Sequence, residues 1–399
     1  MSQLTRRAAL GLLGAAATGL LAACGGGSQP AQAPAPAQTS AAAPKPTTAA
    51  QAAGQPAAGG QPSYYPANYA DLVEASKKEQ KLLVYSIMSK DNWAPVLDAF
   101  KQRYGHIDVE ALDLGSYEVF ERYYSEGAGN ARTADLIITS APDGWQDFIK
   151  RGELAEYKSA EDDKVPGWSK LAPSIYTVST DPMVIIWNKK LLQTAPKTMA
   201  ELGDLASKNA GQFNPGKITT YEETNATGFA ANWFWAKKQG DNAWTIYEAI
   251  GQTKPKLESS AGRMVDSTLT GETLVGYFVS TISVFPKLSS AQDVLGWTMI
   301  GDGTPLITRG MGITKKAQSP NSAKLMVDFI LSQDGQVAFA NGGLTAYRPD
   351  VADTAKTHLD KLSAEVGQQN LLPFSFDPDI ADKTKTDDFR ARLKRSLGR

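Results

Sequence analysis

The sequence predicts an α/β fold that is divided into two lobes. Short apolar strands alternate with amphipathic helices along most of the chain, and this alternation is typical of mostly parallel sheets. The chain is also too long for one compact core, since 376 of its 399 residues would remain after removal of the first 23. Together these observations favour two α/β lobes.

The elements before residue 180 follow this alternation. Apolar runs predict strands, and apolar residues at helical spacing predict helices. The predicted strands are 81–86, 107–112, 134–139 and 175–178. The predicted helices are 68–79, 93–104, 117–127 and 142–151.

The second half continues in the same way after a polar interval at 179–182. Thr198 is the expected N-cap of the first helix there, and the tail from Asp353 is charged. The predicted strands are 183–188, 217–221, 274–284, which is either one long strand or a pair of strands, and 297–306, which contains turn residues at 301–303. The further predicted helices are 228–239, 241–250, 322–331, 333–341, and two near 353–364 and 386–397.

Residues 1–23 predict a signal peptide. Arg6 and Arg7 give it a basic start, and the apolar run that follows is too short and too rich in glycine and alanine for a typical membrane span. The small residues before Cys24 resemble the bacterial lipobox, in which the cysteine receives a diacylglycerol through sulfur and further acyl chains such as palmitate. Cys24 is therefore the predicted lipid attachment site, on the periplasmic or extracellular face of the membrane. An ordinary signal peptide with an incidental cysteine is the alternative.

The export route stays open between two possibilities. Residues 5–10 resemble a twin-arginine signal, but Ala9 stands where that signal usually has phenylalanine. A general secretory signal that happens to contain two arginines explains the same residues.

Residues 24–65 predict a disordered tether. The stretch 25–63 consists of Gly, Ala, Pro, Gln, Ser and Thr, with Lys45 as the only charge. Such a composition cannot bury a core, and its prolines favour extended conformations. We expect this segment to hold the globular body off the membrane.

Composition argues against several classes of protein. A formal net charge of −1 provides no basic surface for nucleic acid. The chain has only two histidines, His106 and His358, which excludes a histidine-rich metal site. It also lacks a nucleophile elbow and a phosphate loop, so we expect neither an enzyme nor a cofactor, although a secreted lipoprotein enzyme remains the main alternative class. A structural or adhesive lipoprotein is a third class.

Six short landmarks occur in a familiar order between about Asp71 and Asp350. They are the strand 82–86, the turn 133–136, the turn 196–202, the pair 271–272, the segment 303–305 and the helix with its continuation 319–336. In this order they resemble the extracellular solute-binding proteins of bacterial ABC importers, in the branch that contains ferric-iron binders.

The resemblance implies a two-lobed periplasmic-binding-protein fold of type II. Lobe one would contain 66–180 and 300–345, and lobe two 181–299 and 346–399, with chain crossings near 179–182 and 295–300. A small-molecule solute would lie in the cleft at the carboxyl ends of the strands and stabilise a hinge closure. The implied partners are a membrane permease and its ATPase, and the protein itself is expected to be a monomer.

The candidate ligand-binding residues lie where predicted strands end and helices begin. Short polar side chains and helix N-termini at such positions favour an anion or polar-oxygen site, whereas simple helix capping is the alternative. The candidates of this kind are Ser86, Ser140, Ala141, Thr224, Asn225, Thr227 and Gly228, together with Thr180 at the first crossing and Thr281 after the strand that follows Glu272.

Two charged residues complete the predicted site. The guanidinium of Arg263 can bind a carboxylate or phosphonate in a bidentate manner, and a surface ion pair is the alternative. Asp302 is placed to meet a ligand amine or hydroxyl, and local turn chemistry in the Gly301–Gly303 turn is the alternative.

Iron is the less favoured ligand. Ferric binders carry two adjacent tyrosines in lobe two, and that pair should fall near Thr281, where the sequence has no tyrosine. Tyr277 offers a single phenol, and the pair Tyr123–Tyr124 belongs to a predicted helix of lobe one. We therefore expect no metal site and predict a substrate-binding lipoprotein for a small polar or anionic solute.

Overall fold

The computed structural model describes residues 61–213 and 215–399. The predictions for the signal peptide, for Cys24 and for the tether up to residue 60 lie outside the described residues.

The strands are short, except for two long ones that run through the centre of the molecule. Their bounds are β1 Leu82–Ser86, β2 Val109–Asp113, β3 Leu136–Thr139, β4 Lys170–Ala172, β5 Ile175–Asn188, β6 Ile218–Tyr221, β7 Lys256–Glu258, β8 Val275–Ser280, β9 Leu295–Thr298, β10 Thr304–Ile313 and β11 Leu371–Pro373.

The helices fill the connections between these strands. Their bounds are α1 Tyr69–Ser76, α2 Lys90–Arg103, α3 Glu118–Ala128, α4 Pro142–Lys150, α5 Met199–Lys208, α6 Ala210–Phe213, α7 Ala226–Gln239, α8 Asn242–Gly251, α9 Ala261–Leu269, α10 Thr281–Ala291, α11 Pro320–Leu331, α12 Gln333–Asn341, α13 Leu359–Ser363 and α14 Lys383–Ser396. Within the described ranges, no helix has both the length and the apolar character needed to cross a membrane.

A first sheet is built around β1, which pairs in parallel with β2 and β3. Strand β10 runs antiparallel to β3, with Gly310 opposite Thr139, and the first part of β5 runs antiparallel to β10. The carboxyl ends of β1 and β3 therefore lie at one edge, beside the middle of β10.

A second sheet begins with the other part of β5. There β5 runs antiparallel to β8 and to β9. Strand β6 is parallel to β8, and β7 is parallel to β6. The carboxyl ends of β6, β7 and β8 thus share one edge of this sheet.

Strand β5 joins the two sheets without a break. The prediction of two separate strands around 179–182 is wrong, because Ser179, Thr180 and Asp181 are buried strand residues. Thr180 exchanges backbone hydrogen bonds with Thr345, at 3.0 and 3.1 Å, so this polar interval is held by a distant segment and forms no turn. Pro182 still pairs with β10, and Met183 already pairs with β8.

The predicted long strand 274–284 is also shorter than expected. Strand β8 ends at Ser280, and α10 begins at Thr281. The backbone N–H of Ile282 donates to the Asp181 carboxylate at 3.1 Å, so a residue about a hundred positions away satisfies the helix start.

Each sheet has its own aromatic core. Trp93, Phe100 and Phe329 are buried on one face of the first sheet, whereas Trp145 and Phe148 are buried on the other. The core of the second sheet is a separate cluster that includes the buried side chains of Trp235, Tyr247 and Phe278.

The C-terminal tail divides between these cores, which corrects its assignment to lobe two. Tyr347 and Leu359 are buried in the core of the first sheet. Arg348 follows them there, because its guanidinium pairs with the buried Glu161 at 2.5 Å. The later part of the tail packs on the second core, through Phe374 and through Leu393 and Leu397 of α14.

Candidate functional site

The candidate site lies where the carboxyl ends of the strands of both sheets meet beside β5. Four helices begin at these ends, namely α4, α7, α9 and α10. A helix start carries unsatisfied N–H groups and a positive partial charge, so four starts at one junction favour a ligand with acceptor oxygens. The first turns of α7, α9 and α10 contain no acidic residue of their own.

A direct contact joins the two edges. Ser140 stands between β3 and α4 of the first sheet, and Thr227 lies in the first turn of α7 in the second. Their hydroxyl oxygens are 3.2 Å apart, and either group is able to donate. This contact spans the junction, so two of the predicted residues are brought together.

An ion pair is buried beneath this junction. Asp181 of β5 is 1% exposed and Arg309 of β10 is 4% exposed. The Nη2 of Arg309 donates to Asp181 Oδ2 at 2.8 Å. The same carboxylate accepts from the hydroxyls of Ser280 and Thr281 and from the Ile282 backbone N–H. One carboxylate therefore ties the first sheet to the start of α10.

Tyr221, at the end of β6, lies beside this ion pair. Burial raises the pKa of the Tyr221 phenol, and the nearby Asp181 carboxylate acts in the same direction. The Arg309 guanidinium and a hydrogen bond from the Ala261 backbone N–H act in the opposite direction. The phenol therefore stays protonated at neutral pH and is able to donate a hydrogen bond.

Three of the predicted site residues have their polar groups engaged elsewhere. The Ser86 hydroxyl donates to Leu112 O and accepts from Trp93 Nε1, both within the first sheet. The Thr180 hydroxyl donates to Thr345 O at 3.2 Å. The Asn225 side chain caps α7 by accepting from Gly228 N at 2.8 Å. These three side chains therefore form hydrogen bonds that stabilise the fold.

The other predicted residues of the two loops differ in role. Thr224 is exposed in the loop before α7, and Ala141 is the buried N-cap of α4. Gly228 allows α7 to approach β6, because a Cβ at this position would lie 2.3 Å from the Cβ of Tyr221. Thr281 lies at the junction, where its hydroxyl donates to Asp181 Oδ1 at 2.6 Å.

The two predicted charged residues lie away from the buried pair. The Arg263 side chain is 69% exposed and lies 3.8 Å from Glu258, which corresponds to the surface ion pair that was its alternative. Asp302 accepts from the backbone N–H groups of Met199 and Ala200, each at 3.0 Å, and so caps the start of α5. Because α5 begins about a hundred residues before Asp302, these hydrogen bonds are not the local turn contacts that were the alternative for Asp302.

Asp181 and Arg309 were missed by reasoning from the sequence. A signal for them exists, because each is the only charged residue within a long strand whose neighbours are almost all buried. A charge inside a buried strand requires a partner of opposite charge. Two buried strands that carry one acidic and one basic residue therefore indicate that these two residues pair.

The tyrosines considered for iron lie in the cores. Tyr277 is buried in the core of the second sheet, and Tyr123 and Tyr124 pack around Phe148 of the first. Among residues 61–213 and 215–399, no group of three or more His, Cys, Asp or Glu side chains is placed to hold a metal ion.

Two α/β sheets joined through one continuous strand, with a polar junction between them, define the class of two-lobed binding proteins that hold a ligand between their lobes. The family model for bacterial extracellular solute-binding proteins matches residues 96–364, and the chain belongs to this family. The chain is thus an extracellular or periplasmic solute-binding protein and not an enzyme, as the sequence resemblance implied.

Solved structures confirm the type II periplasmic-binding-protein fold. The substrate binding protein of an ABC transporter from Agrobacterium tumefaciens is 23% identical, with a TM-score of 0.71 over 82% of this chain and 96% of that chain. AfuA from Actinobacillus pleuropneumoniae, with fructose-6-phosphate bound, is 20% identical, with a TM-score of 0.64 over 79% and 99%. Iron-bound HitA from Pseudomonas aeruginosa is 16% identical, with a TM-score of 0.60 over 80% and 100%. A search of curated proteins finds no significant match.

Proposed function

We propose that the protein is the solute-binding lipoprotein of an ABC importer and that it captures a small polar or anionic solute between its two lobes. The observation that carries this proposal is the convergence of four helix starts and the Asp181–Arg309 pair at the junction of the two sheets. The similar protein from Agrobacterium tumefaciens is described as part of an ABC transporter, which supports delivery to a membrane permease.

The proposed lobes follow the two sheets. Lobe one comprises 66–180 and 300–345, to which the tail up to about residue 363 is added, and lobe two comprises 181–299 and the rest of the tail. The hinge lies in β5 near Asp181 and between β9 and β10, where the chain changes sheets. A solute that contacts both lobes favours the closed form, because its binding free energy is larger there.

Closure is testable with fluorescent labels. Cys24 is the only cysteine, so a Cys24→Ala chain accepts labels at chosen positions. Ile149 on lobe one and Leu191 on lobe two are 38% and 49% exposed, and cysteines there would report the distance between the lobes by energy transfer. We expect the solute to change the transfer efficiency without being converted.

A matched pair of labels provides the control. Leu191 and Lys208 both belong to lobe two, and the Lys208 side chain is 73% exposed. Transfer between cysteines at these two positions should stay constant when the solute is added. If organic acids, phosphate esters, polyols, amines and Fe(III) all leave the transfer between the lobes unchanged, the proposed function is contradicted.

We further propose that Cys24 carries the lipid that holds the protein on the outer face of the cell membrane. Two or three acyl chains are enough for stable anchoring, since each buried methylene contributes about 0.8 kcal/mol. In cell fractionation, Cys24→Ala should move the protein from the membrane to the soluble fraction, whereas Ser28→Ala in the tether should leave it on the membrane. A wild-type protein without lipid by mass spectrometry would contradict this proposal.

A further inference from the structure

The guanidinium of Arg309 is only partly used by the fold. It lies in the middle of β10, whose residues are all buried, and it is 4% exposed. An arginine has five N–H hydrogens, and the contact with Asp181 uses one on Nη2. Nε and Nη1 are both buried and have no hydrogen-bond partner among the described residues.

Asp181 does not provide an acceptor for Nε and Nη1, because both of its carboxylate oxygens already accept other hydrogen bonds. Oδ2 accepts from Arg309 and Ser280, and Oδ1 accepts from Thr281 and the Ile282 N–H. The carboxylate is therefore turned toward the start of α10. A buried donor without a partner destabilises the folded protein, so the unused side of Arg309 is unfavourable for stability alone.

The surroundings of this guanidinium favour a ligand that only accepts hydrogen bonds. The Tyr221 phenol and the first turn of α9 stand on the side of the second sheet, and both present N–H or O–H groups. A cation is repelled by these donors. A phosphate, phosphonate or carboxylate provides several acceptor oxygens and matches the planar fork of arginine.

We infer that the solute carries an oxyanion group and that Arg309 binds this group through Nε or Nη1, together with the Tyr221 hydroxyl and the start of α9. This inference rests on the proposed function, because it places the solute in the same cleft. Arg309 belongs to the first sheet, whereas Tyr221 and α9 belong to the second. One oxyanion that contacts all three holds the two lobes together.

The test compares ligands with and without an oxyanion group. Fructose 6-phosphate and fructose form one matched pair, and inorganic phosphate and citrate are two further anionic probes. Lobe closure is followed by energy transfer in the labelled chain. We expect the anionic probes to close the wild-type protein and fructose to leave it open.

Two arginine variants locate the contact. Arg309→Lys keeps the charge but loses the fork, so the affinity for the anionic probes should fall by about tenfold or more. Arg151→Lys is the control, since Arg151 directly follows α4, is 56% exposed and pairs with Asp147 of that helix. It should bind as the wild type does. If Arg263→Lys weakens anion binding and Arg309→Lys does not, the inference is overturned.

A measurement on the wild-type protein avoids dependence on the stability of Arg309→Lys. The side-chain Nε–H resonance of Arg309 is assigned in the wild-type protein through its bonded side-chain carbons, and inorganic phosphate should shift it. Closure with neutral probes and no effect of anions on this resonance would overturn the inference and leave the proposed function intact. If neither the anionic probes nor the neutral probes close the protein, the proposed function is overturned as well.

Discussion

Asp328 shows how a single buried residue organises one lobe. Its carboxylate is 0% exposed and accepts from Tyr69 at 2.7 Å, Tyr157 at 2.6 Å, Ser159 at 2.6 Å and the Ala160 N–H at 3.0 Å. Burial raises the pKa of Asp328, although these hydrogen bonds act in the opposite direction. No cation balances the charge through a salt bridge within the described residues, so the fold relies on the donors.

Removal of one donor should therefore destabilise the protein. Tyr69→Phe leaves Asp328 with one hydrogen bond fewer, and we expect the free energy of unfolding to fall by about 1.5–3 kcal/mol. Tyr64→Phe is the matched control, because Tyr64 is 44% exposed and the buried Glu161 carboxylate to which its hydroxyl donates also has a cation, Arg348, as a partner. Urea unfolding followed by circular dichroism measures both losses. Equal losses would show that the hydrogen bond to Asp328 contributes no more to the free energy of unfolding than the hydrogen bond from Tyr64 to Glu161.

At the scale of elements, the packing of α7 on β6 depends on the absence of one side chain. Gly228 lies in the first turn of α7, directly over Tyr221, where a Cβ would approach the Tyr221 Cβ to 2.3 Å. Gly262 lies in the first turn of α9 and has open space around its Cβ position, with nothing within 4 Å. The two glycines occupy similar places in two helices that begin at the same junction.

The same substitution should have opposite effects at these two glycines. Gly228→Ala forces α7 away from β6 and should cost about 1–3 kcal/mol of unfolding free energy. Gly262→Ala should be neutral or stabilise by up to about 1 kcal/mol, because alanine is the better helix former. Thermal unfolding of the two variants provides the comparison. A stable Gly228→Ala protein would show that the two elements are less closely packed than in this structure.

At the scale of the whole molecule, the C-terminal segment links the two halves. Strand β11 pairs with β10, and the residues that follow it contact helices of both sheets. The Asp377 carboxylate accepts from Lys237 and Trp233 of α7, while its backbone carbonyl accepts from Gln146 of α4 at 3.0 Å. This segment is therefore a third connection between the lobes, besides β5 and the passage from β9 to β10.

The pH dependence of this link follows from the pKa of Asp377. Burial raises that pKa, but hydrogen bonds from Lys237, the Asp379 N–H and Trp233 outweigh it and leave the pKa below its ordinary value. The unfolded chain thus takes up the proton at a higher pH than the folded one. The contribution of the pair is complete above about pH 4 and is lost as the pH falls through the lowered pKa.

Asp377→Asn should accordingly have a lower melting temperature than the wild type at pH 7, and this difference should shrink below about pH 4. Calorimetry across the pH range measures it. Asp353→Asn is the control, because the Asp353 side chain is fully exposed and lies 3.8 Å from Lys361. It should melt like the wild type at every pH. A difference for Asp377→Asn that persists unchanged into acid would contradict the role of its charge.

The sequence alone determined the features that depend on neighbours in the chain. The helix 333–341 was predicted with its observed bounds, and β1, β3, α4 and the Thr198 cap were predicted nearly as observed. Apolar periodicity, caps and turn residues depend on residues only a few positions apart, so they can be recognised from the sequence alone. Two lobes and the family followed because such local signals recur in a fixed sequence along the chain.

Only the tertiary structure decided where distant polar residues meet. Asp181 satisfies the start of α10, and Asp302 caps α5, each across about a hundred residues. The continuity of β5 depends on Thr345, which the polar interval 179–182 gives no reason to expect. Arg309 is a single charge in a buried strand until the fold brings Asp181 within 2.8 Å of its Nη2. Hydrogen-bond partners of buried charges are chosen by the packing of whole sheets, whereas the sequence shows only that two apolar strands carry one charge each.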